Sequence, residues 1–393
     1  MRIAINAALA GERSTGIGIY AASLVAALPR VDGGQHTYEV YYGGLPPTQA
    51  APPNGVRVRR HVVRMGGGWR RLWWDGWRVG RAAAHADVLH STSAYLPWRA
   101  PCPCVLTIHD LAIYRYPETF PRMNRTLGRC LFESAVRRAA ALIAVSEATR
   151  RDAIELLGLS ADTITVIPEA PDPLFHPVRD HAEVARVRAR YDLSRPYILS
   201  VATAEPRKNL RRLLAAFAAC RAAPGRDEEL VLVGGKGWLG GPLEADVRRL
   251  AAAGLVRTLG YVPREDLPAL YAGAAALAYP SLYEGFGLPV LEGLACGAPV
   301  LTSHGSSLEE VAGDAALLVD PTSTESIANG LHALVADATL AATLRRRGPP
   351  RAGRFTWDAT ARATLLVYAR AATTGSVRRG VAPSALTAAR QGG

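Results

Sequence analysis

The chain has 393 residues, of which 49% are apolar and 20% charged, enough to build packed cores for two ordinary domains and to exclude global disorder. A formal net charge of +12 favours anionic partners: nucleotide diphosphates, anionic lipid surfaces or nucleic acid. No uninterrupted apolar stretch is long enough to span a bilayer, and the five cysteines at 102, 104, 130, 220 and 296 lack zinc-ligand spacing, so reduced thiols in a cytoplasmic protein are expected.

The N-terminus reads at once as a strand, Arg2–Ala7, with no signal peptide before it. Thr15-Gly-Ile-Gly-Ile-Tyr20 then leads into a helix over Tyr20–Leu28. Glycines at 16 and 18 let backbone approach a phosphate or a sugar closely. Strands are expected at Glu39–Tyr42 and Val56–His61. In Gly66–Arg81 a helix would align Trp69, Trp73 and Trp77 on one stripe, with Arg70, Arg71, Trp74, Arg78 and Arg81 on the adjoining face. That composition suits a membrane–water interface. Further strands follow at Val88–His90, Val105–His109, Ala141–Val145 and Thr163–Ile167, with helices at Asn124–Arg138 and Glu147–Leu157. His109 thereby stands at the carboxyl edge of a sheet, where open parallel sheets carry their sites.

Prolines at 168, 171, 173 and 177 break the pattern within Pro168–Arg188. A second series begins with strands at Tyr197–Val201, Leu230–Val233, Val256–Leu259, Ala276–Tyr279, Val300–Thr302 and Ala316–Val319. Two alternating series predict an α/β chain of two parallel-sheet, Rossmann-like domains. Glu205-Pro-Arg-Lys-Asn209 follows the first strand of the second series, so Arg207 and Lys208 bring two cations to a carboxyl edge. Val233-Gly-Gly-Lys236 and Gly260-Tyr-Val-Pro263 are further strand-end turns.

The most informative stretch is Ser281–Val300, where Glu284 and Glu292 flank a Gly-Phe-Gly loop that opens a helix. Pro289 suits the first helical turn. The N–H groups of Gly285, Phe286, Gly287 and Leu288 then make an anion site. Carboxylates repel phosphate but accept sugar hydroxyls, so the combination predicts a nucleotide sugar: diphosphate at the helix start, hexose on one glutamate, ribose on the other. No Asp-any-Asp metal clamp, nucleophile elbow or zinc motif occurs.

These motifs, in this order, make the chain similar to the retaining glycosyltransferases of family 4, which have the GT-B fold; the resemblance covers nearly the whole chain. It implies two domains facing across a cleft: residues 1–175, which take the acceptor, and residues 176–355, which take the nucleotide sugar. A helix at 356–374 would cross back to the first domain, leaving a flexible tail at 375–393. It further implies that Gly16 and Gly18 approach the donor, that His109 lies near the transferred sugar, and that Arg207 and Lys208, beside Glu205, grip the diphosphate. Glu284 would contact the hexose with backbone at Gly285, Phe286 and Gly287, and Glu292 would hold the ribose. The expected donor is GDP-mannose, then UDP-sugars, with no metal and no separate cofactor. The expected acceptor is a glycan or lipid-linked sugar at the inner face of the plasma membrane, reached through Trp69–Arg81; nucleic acid is not expected as a partner. An inactive GT-B-like binding subunit, an epimerase and a phosphorylase are the alternatives. Two segments depart from the family pattern: Val201-Ala-Thr-Ala204 lacks its glycine, and Pro168-Glu-Ala170 stands where Pro-Asn-Gly is common.

Overall fold

The computed structural model describes residues 1–11, 16–45, 57–63, 69–120, 122–178, 180–235 and 241–380. Thr15, Val56, the glycines at 66–68, Lys236 and the last residues, 381–393, lie outside them.

The first sheet has seven strands: β1 (Arg2–Ala7), β2 (Thr37–Tyr42), β3 (Arg57–Val62), β4 (Val88–Ser91), β5 (Cys104–Ile108), β6 (Ala141–Ala144) and β7 (Ile164–Val166). The second has six: β8 (Tyr197–Val201), β9 (Glu229–Val233), β10 (Val256–Gly260), β11 (Ala276–Tyr279), β12 (Val300–Ser303) and β13 (Ala316–Val319). Their orders are β3-β2-β1-β4-β5-β6-β7 and β10-β9-β8-β11-β12-β13, and every pairing is parallel. Both are doubly wound sheets of the Rossmann kind, as expected. Strand order reverses between β1 and β4 in one and between β8 and β11 in the other, and crevices for ligands open beyond the carboxyl ends at such points.

Side chains alternate across each sheet. Ile3 and Ile5 pack on one face with Tyr20, Leu24 and Leu28, while Ala4 turns to the other with Leu89 and Leu106. In the second sheet Tyr197 and Leu199 face one core and Ile198 the other. Strands covered on both faces read as continuous apolar runs. β3 is an exception, because it is an exposed edge carrying Arg57, Arg59 and Arg60, charges that discourage pairing with a further strand.

The last helix, Trp357–Gly380, returns to the first domain. Trp357, Ala361, Val367, Tyr368 and Ala371 belong to the core built on Ile3, Ile5 and Tyr20. A buried polar chain fixes the register: Tyr368 Oη lies 2.7 Å from His90 Nδ1, His90 Nε2 lies 2.8 Å from Thr107 Oγ1, and Tyr20 Oη lies 3.1 Å from Thr107 Oγ1. Burial, with His109 nearby, pushes the His90 imidazole down to about 3. The neutral ring suits this chain, because hydroxyls on both sides can donate or accept.

Candidate active site

The loop after β8 is built to deliver two cations. Pro206–Lys208 forms a single 3-10 turn, ended by Asn209 at φ 60°, a left-handed conformation that Asn tolerates. Its side-chain amide donates to the carbonyls of Pro280 (2.9 Å) and Pro321 (2.7 Å). The turn is thereby tied to the end of β11, the strand across the switch point.

Arg207, Lys208 and Glu284 meet there. Arg207 Nη1 donates to Glu284 Oε2 at 2.7 Å and to the Tyr283 carbonyl at 2.8 Å, and Nη2 to Glu205 Oε2 at 3.3 Å. Lys208 Nζ donates to Glu284 Oε1 at 2.7 Å and to Tyr279 Oη at 2.8 Å. Ser281 Oγ (2.6 Å) and Tyr279 Oη (3.0 Å) also donate to Glu284 Oε1. Burial alone would raise the Glu284 carboxyl; Arg207, Lys208 and the bonds from Lys208 and Ser281 outweigh it and hold the group at about 2. Burial lowers the Lys208 ammonium, with Glu284 opposing. Burial also works against the Arg207 charge, but Glu284 and Asp110 more than compensate. A guanidinium has five N–H donors and an ammonium three. The bonds described use three and two of them, so donors remain on both side chains for an incoming anion.

The loop from Leu282 to Gly287 is where the two domains touch. A Cβ at Gly285 would lie 1.6 Å from the His109 carbonyl oxygen, so only glycine fits. The Gly285 carbonyl accepts from Ser146 Oγ (2.7 Å) and Thr149 Oγ1 (3.1 Å), and Ser307 Oγ donates to the carbonyls of Glu284 (2.8 Å) and Phe286 (3.0 Å). Trans peptides set N–H opposite C=O, so the amide hydrogens of Gly285, Phe286 and Gly287 point away from those hydroxyls. Tyr283 Oη donates to Asp152 Oδ2 at 2.6 Å and accepts from the Leu111 amide at 3.2 Å. Glu310 accepts from the Glu147 and Ala148 amides at the start of the helix Glu147–Leu157. The Phe286 and Leu288 side chains are core, Phe286 edge-on to Phe355 with ring centres 5.8 Å apart.

Glu292 sits apart, one turn inside the helix Leu288–Ala295. Its carboxyl accepts from Tyr271 Oη at 3.0 Å, and burial pushes it up to about 7 against the field of Arg264. From the first domain, His109 presents Nδ1 to Glu169 Oε1 (3.1 Å) and Nε2 to the Thr92 carbonyl (3.0 Å), with Tyr20 edge-on to its ring at 4.8 Å. Gly16 precedes the helix Ile17–Val31 at φ 37° with open space where a Cβ would lie, and Gly18 is buried in its first turn.

The structure thus brings Glu205, Arg207, Lys208 and Glu284 into one cluster and seats His109 against the neighbouring Gly285. Sequence reasoning missed Tyr279, Ser281, Tyr271 and Glu169. Tyr279 ends β11 and Glu169 follows β7, so a polar group beside the carboxyl end of a strand was the available signal. The Trp/Arg segment also differs from its helical-wheel reading. Trp69–Trp73 is helical, Trp74–Arg78 is a π turn, and Val79–Ala82 resumes the helix. The π turn rotates Trp74 inward, where its Nε1 donates to Asn6 Oδ1 at 3.0 Å, and Asp75 accepts from Asn6 Nδ2 at 2.8 Å. Trp73 and Trp77 stay outside, stacked with centres 6.1 Å apart. Among the described residues, no three His, Cys, Asp or Glu side chains form a metal-holding group.

Residues 183–351 match the family model described as glycosyl transferases group 1, and residues 14–173 the one described as glycosyltransferase family 4. The O-antigen chain mannosyltransferase B of Escherichia coli is 37% identical over 283 residues, covering 72% of this chain and 74% of that protein. The serotype-specific mannosyltransferase WbdA of Escherichia coli is 29% identical over 285 residues, covering 70% of this chain but 34% of WbdA, so the match spans about a third of that longer protein. Among solved structures, sucrose-phosphate synthase from Thermosynechococcus elongatus superposes with a TM-score of 0.73 at 23% identity, covering 94% of this chain and 98% of that one. That last likeness speaks for the fold.

Proposed function

The chain belongs to the family 4 glycosyltransferases and is a glycosyltransferase of the GT-B fold; from that premise we propose that it moves mannose from GDP-mannose, with retained anomeric configuration, to a growing glycan or lipid-linked acceptor. The names of the mannosyl-transferring relatives support the sugar. The observation that carries the site is the meeting of Arg207, Lys208 and Glu284 at the carboxyl edge of the second sheet, in contact with the His109 loop of the first.

In this reading the spare donors of Arg207 and Lys208 and the amides of Gly285, Phe286 and Gly287 hold the diphosphate. As the sugar–phosphate bond breaks, the leaving group gains charge, and cations fixed in a buried site favour that state over the ground state. Glu284, ionised and oriented by Ser281 and Tyr279, accepts hexose hydroxyls. Glu292 accepts from the ribose, while His109, Gly16 and Gly18 approach the donor from the first domain. Glu284 is committed to two cations and is not placed as a covalent nucleophile. The acceptor oxygen therefore bonds to the anomeric carbon on the face the phosphate leaves, and the acceptor proton passes to the departing phosphate oxygen.

The exposed pair Trp73 and Trp77, with Arg70, Arg78 and Arg81 beside it, supports contact with the inner face of the plasma membrane. Arg81 lies over the Trp77 ring at 5.1 Å.

Thermal-shift screening with GDP-mannose, UDP-glucose and ADP-glucose tests the donor; a ligand at a hundred times its Kd adds about 2.7 kcal/mol. GDP-mannose is expected to raise Tm most, and a larger shift with a UDP-sugar replaces the donor. K208M is expected to lower kcat about a hundredfold or more, the scale for a lost transition-state donor, and to lower Tm as well, because Glu284 keeps only one of its two buried cations. Unchanged turnover removes Lys208 from the diphosphate site.

A further inference from the structure

We propose that Arg71 binds the acceptor, offering its guanidinium to neighbouring hydroxyls of an uncharged acceptor sugar, and that the buried Asp75 positions it. The inference deepens the proposed transferase reading and rests on it for its kinetic part. The first sheet reverses its strand order between β1 and β4, and ligands of open parallel sheets bind beyond the carboxyl ends at such a point. Asn6 and Ser91 pair at the ends of these two strands. Hydrogen bonds lead from Asn6 in two directions. Thr92 Oγ1 donates to the Asn6 carbonyl at 2.8 Å, and the Thr92 carbonyl lies 3.0 Å from His109 Nε2. Asn6 Nδ2 donates to Asp75 Oδ1 at 2.8 Å, and Arg71 Nε donates to Asp75 Oδ2 at 3.3 Å. Arg71 is thereby tied, through Asp75, Asn6 and Thr92, to the histidine that the transferase reading sets beside the transferred sugar.

The π turn makes this geometry. It buries three consecutive residues, Trp74, Asp75 and Gly76, although three consecutive residues of a regular α-helix sweep about 200° of its circumference. Such turns recur at functional sites. The Asp75 side chain is 1% exposed and that of Arg71 29%, so the carboxyl is closed to solvent and the guanidinium is open to it. Of its five N–H donors, Asp75 takes the one on Nε; the four on the terminal nitrogens meet no acceptor among the described residues. Tyr95 stands beside them on the loop after β4. Burial pushes its phenol up, with Arg71 opposing and Asp75 adding, and Ser91 Oγ donates to its carbonyl at 2.7 Å. Sugar hydroxyls both donate and accept, so a phenol next to a row of N–H donors suits a pair of them. Asp75 is already the counter-ion of Arg71, so an uncharged polyol fits this pair better than a phosphate. Arg71 belongs to the crevice and not to the outward Trp/Arg face of the same segment.

The test measures transfer from GDP-mannose to α-mannobiose, an uncharged probe, in wild type, R71A, D75N and the double variant R71A/D75N. R71A is expected to raise the KM for mannobiose about tenfold or more, the scale of a lost hydrogen bond from a charged group, while its KM for GDP-mannose stays within a few-fold. D75N is expected to raise the mannobiose KM by less, and R71A/D75N to match R71A, because a residue that acts through another adds nothing once that one is gone. A mannobiose KM unchanged in R71A overturns the proposal, and so does a parallel rise in both KM values, the pattern of a distorted domain. Full additivity in the double variant overturns the positioning role of Asp75. Saturation-transfer NMR of mannobiose, with and without GDP, reads binding apart from turnover and is expected to show it in wild type and about tenfold weaker in R71A. Binding of mannose 6-phosphate in place of mannobiose overturns the uncharged class. If mannobiose binding depends on Arg71 while wild type turns over no nucleotide sugar, the sugar site stands and the transferase reading fails.

Discussion

Glu284 and Glu292 share one motif and live in opposite electrostatic surroundings. Folding places Glu284 between two cations, and its carboxyl falls to about 2. Its contribution to stability is therefore present above the ordinary carboxylate value near 4.3 and is lost as pH falls toward 2. Folding strips Glu292 of water with one hydroxyl in return, and its carboxyl rises to about 7. That contribution is fully present below the ordinary value and is lost as pH rises through 7. A displacement of that size is worth about 3 kcal/mol. Wild-type Tm is therefore expected to decline between about pH 5 and pH 8, and E292Q to flatten that decline, as calorimetry across the range will read. An equally steep decline in E292Q assigns it to another group.

At the scale of elements, the strands and their two series were legible because parallel strands buried on both faces appear as apolar runs, and the helices between them need 3.6-residue periodicity. The motif around Glu284 was legible because the glycines, the proline and the cations stand at strand ends. Two things were not. The π turn at Trp74–Arg78 adds backbone to one turn, and Gly76 inside it gives no measure of that added length, so a regular helical wheel misplaces Trp74. The contact of His109 with Glu169 joins residues 60 apart in the chain, and no local pattern encodes it. The sharpest element-level constraint is the approach of the Glu284–Gly287 loop to the end of β5. G285A puts a methyl group inside the His109 carbonyl, so the junction must open. Turnover is expected to fall about a hundredfold, the cost of an ångström of misplacement between reacting groups, while each sheet keeps its fold. Small-angle scattering should report a larger radius for G285A than for wild type; equal radii with full activity would show that the loop yields without separating the domains.

For the whole molecule, the +12 charge and the outward tryptophans point the same way. Trp73 and Trp77 are 56% and 43% exposed, which makes them available to the headgroup region rather than to either core. The protein is expected to sediment with vesicles rich in anionic lipid and not with neutral ones, and W73A/W77A to reduce that fraction several-fold without altering Tm. Binding that ignores both lipid charge and the double substitution rejects this face. Among the described residues no single helix is long and apolar enough to cross a membrane. The returning helix has a different kind of consequence, one for biosynthesis. The last strand of the first sheet ends at Val166, yet the apolar surface of that sheet is completed only by Trp357, Val367 and Tyr368. On a translating ribosome at common elongation rates, roughly 10–40 s separate the two. Throughout that interval the nascent first domain carries an uncovered greasy flank, a natural client surface for a holdase chaperone.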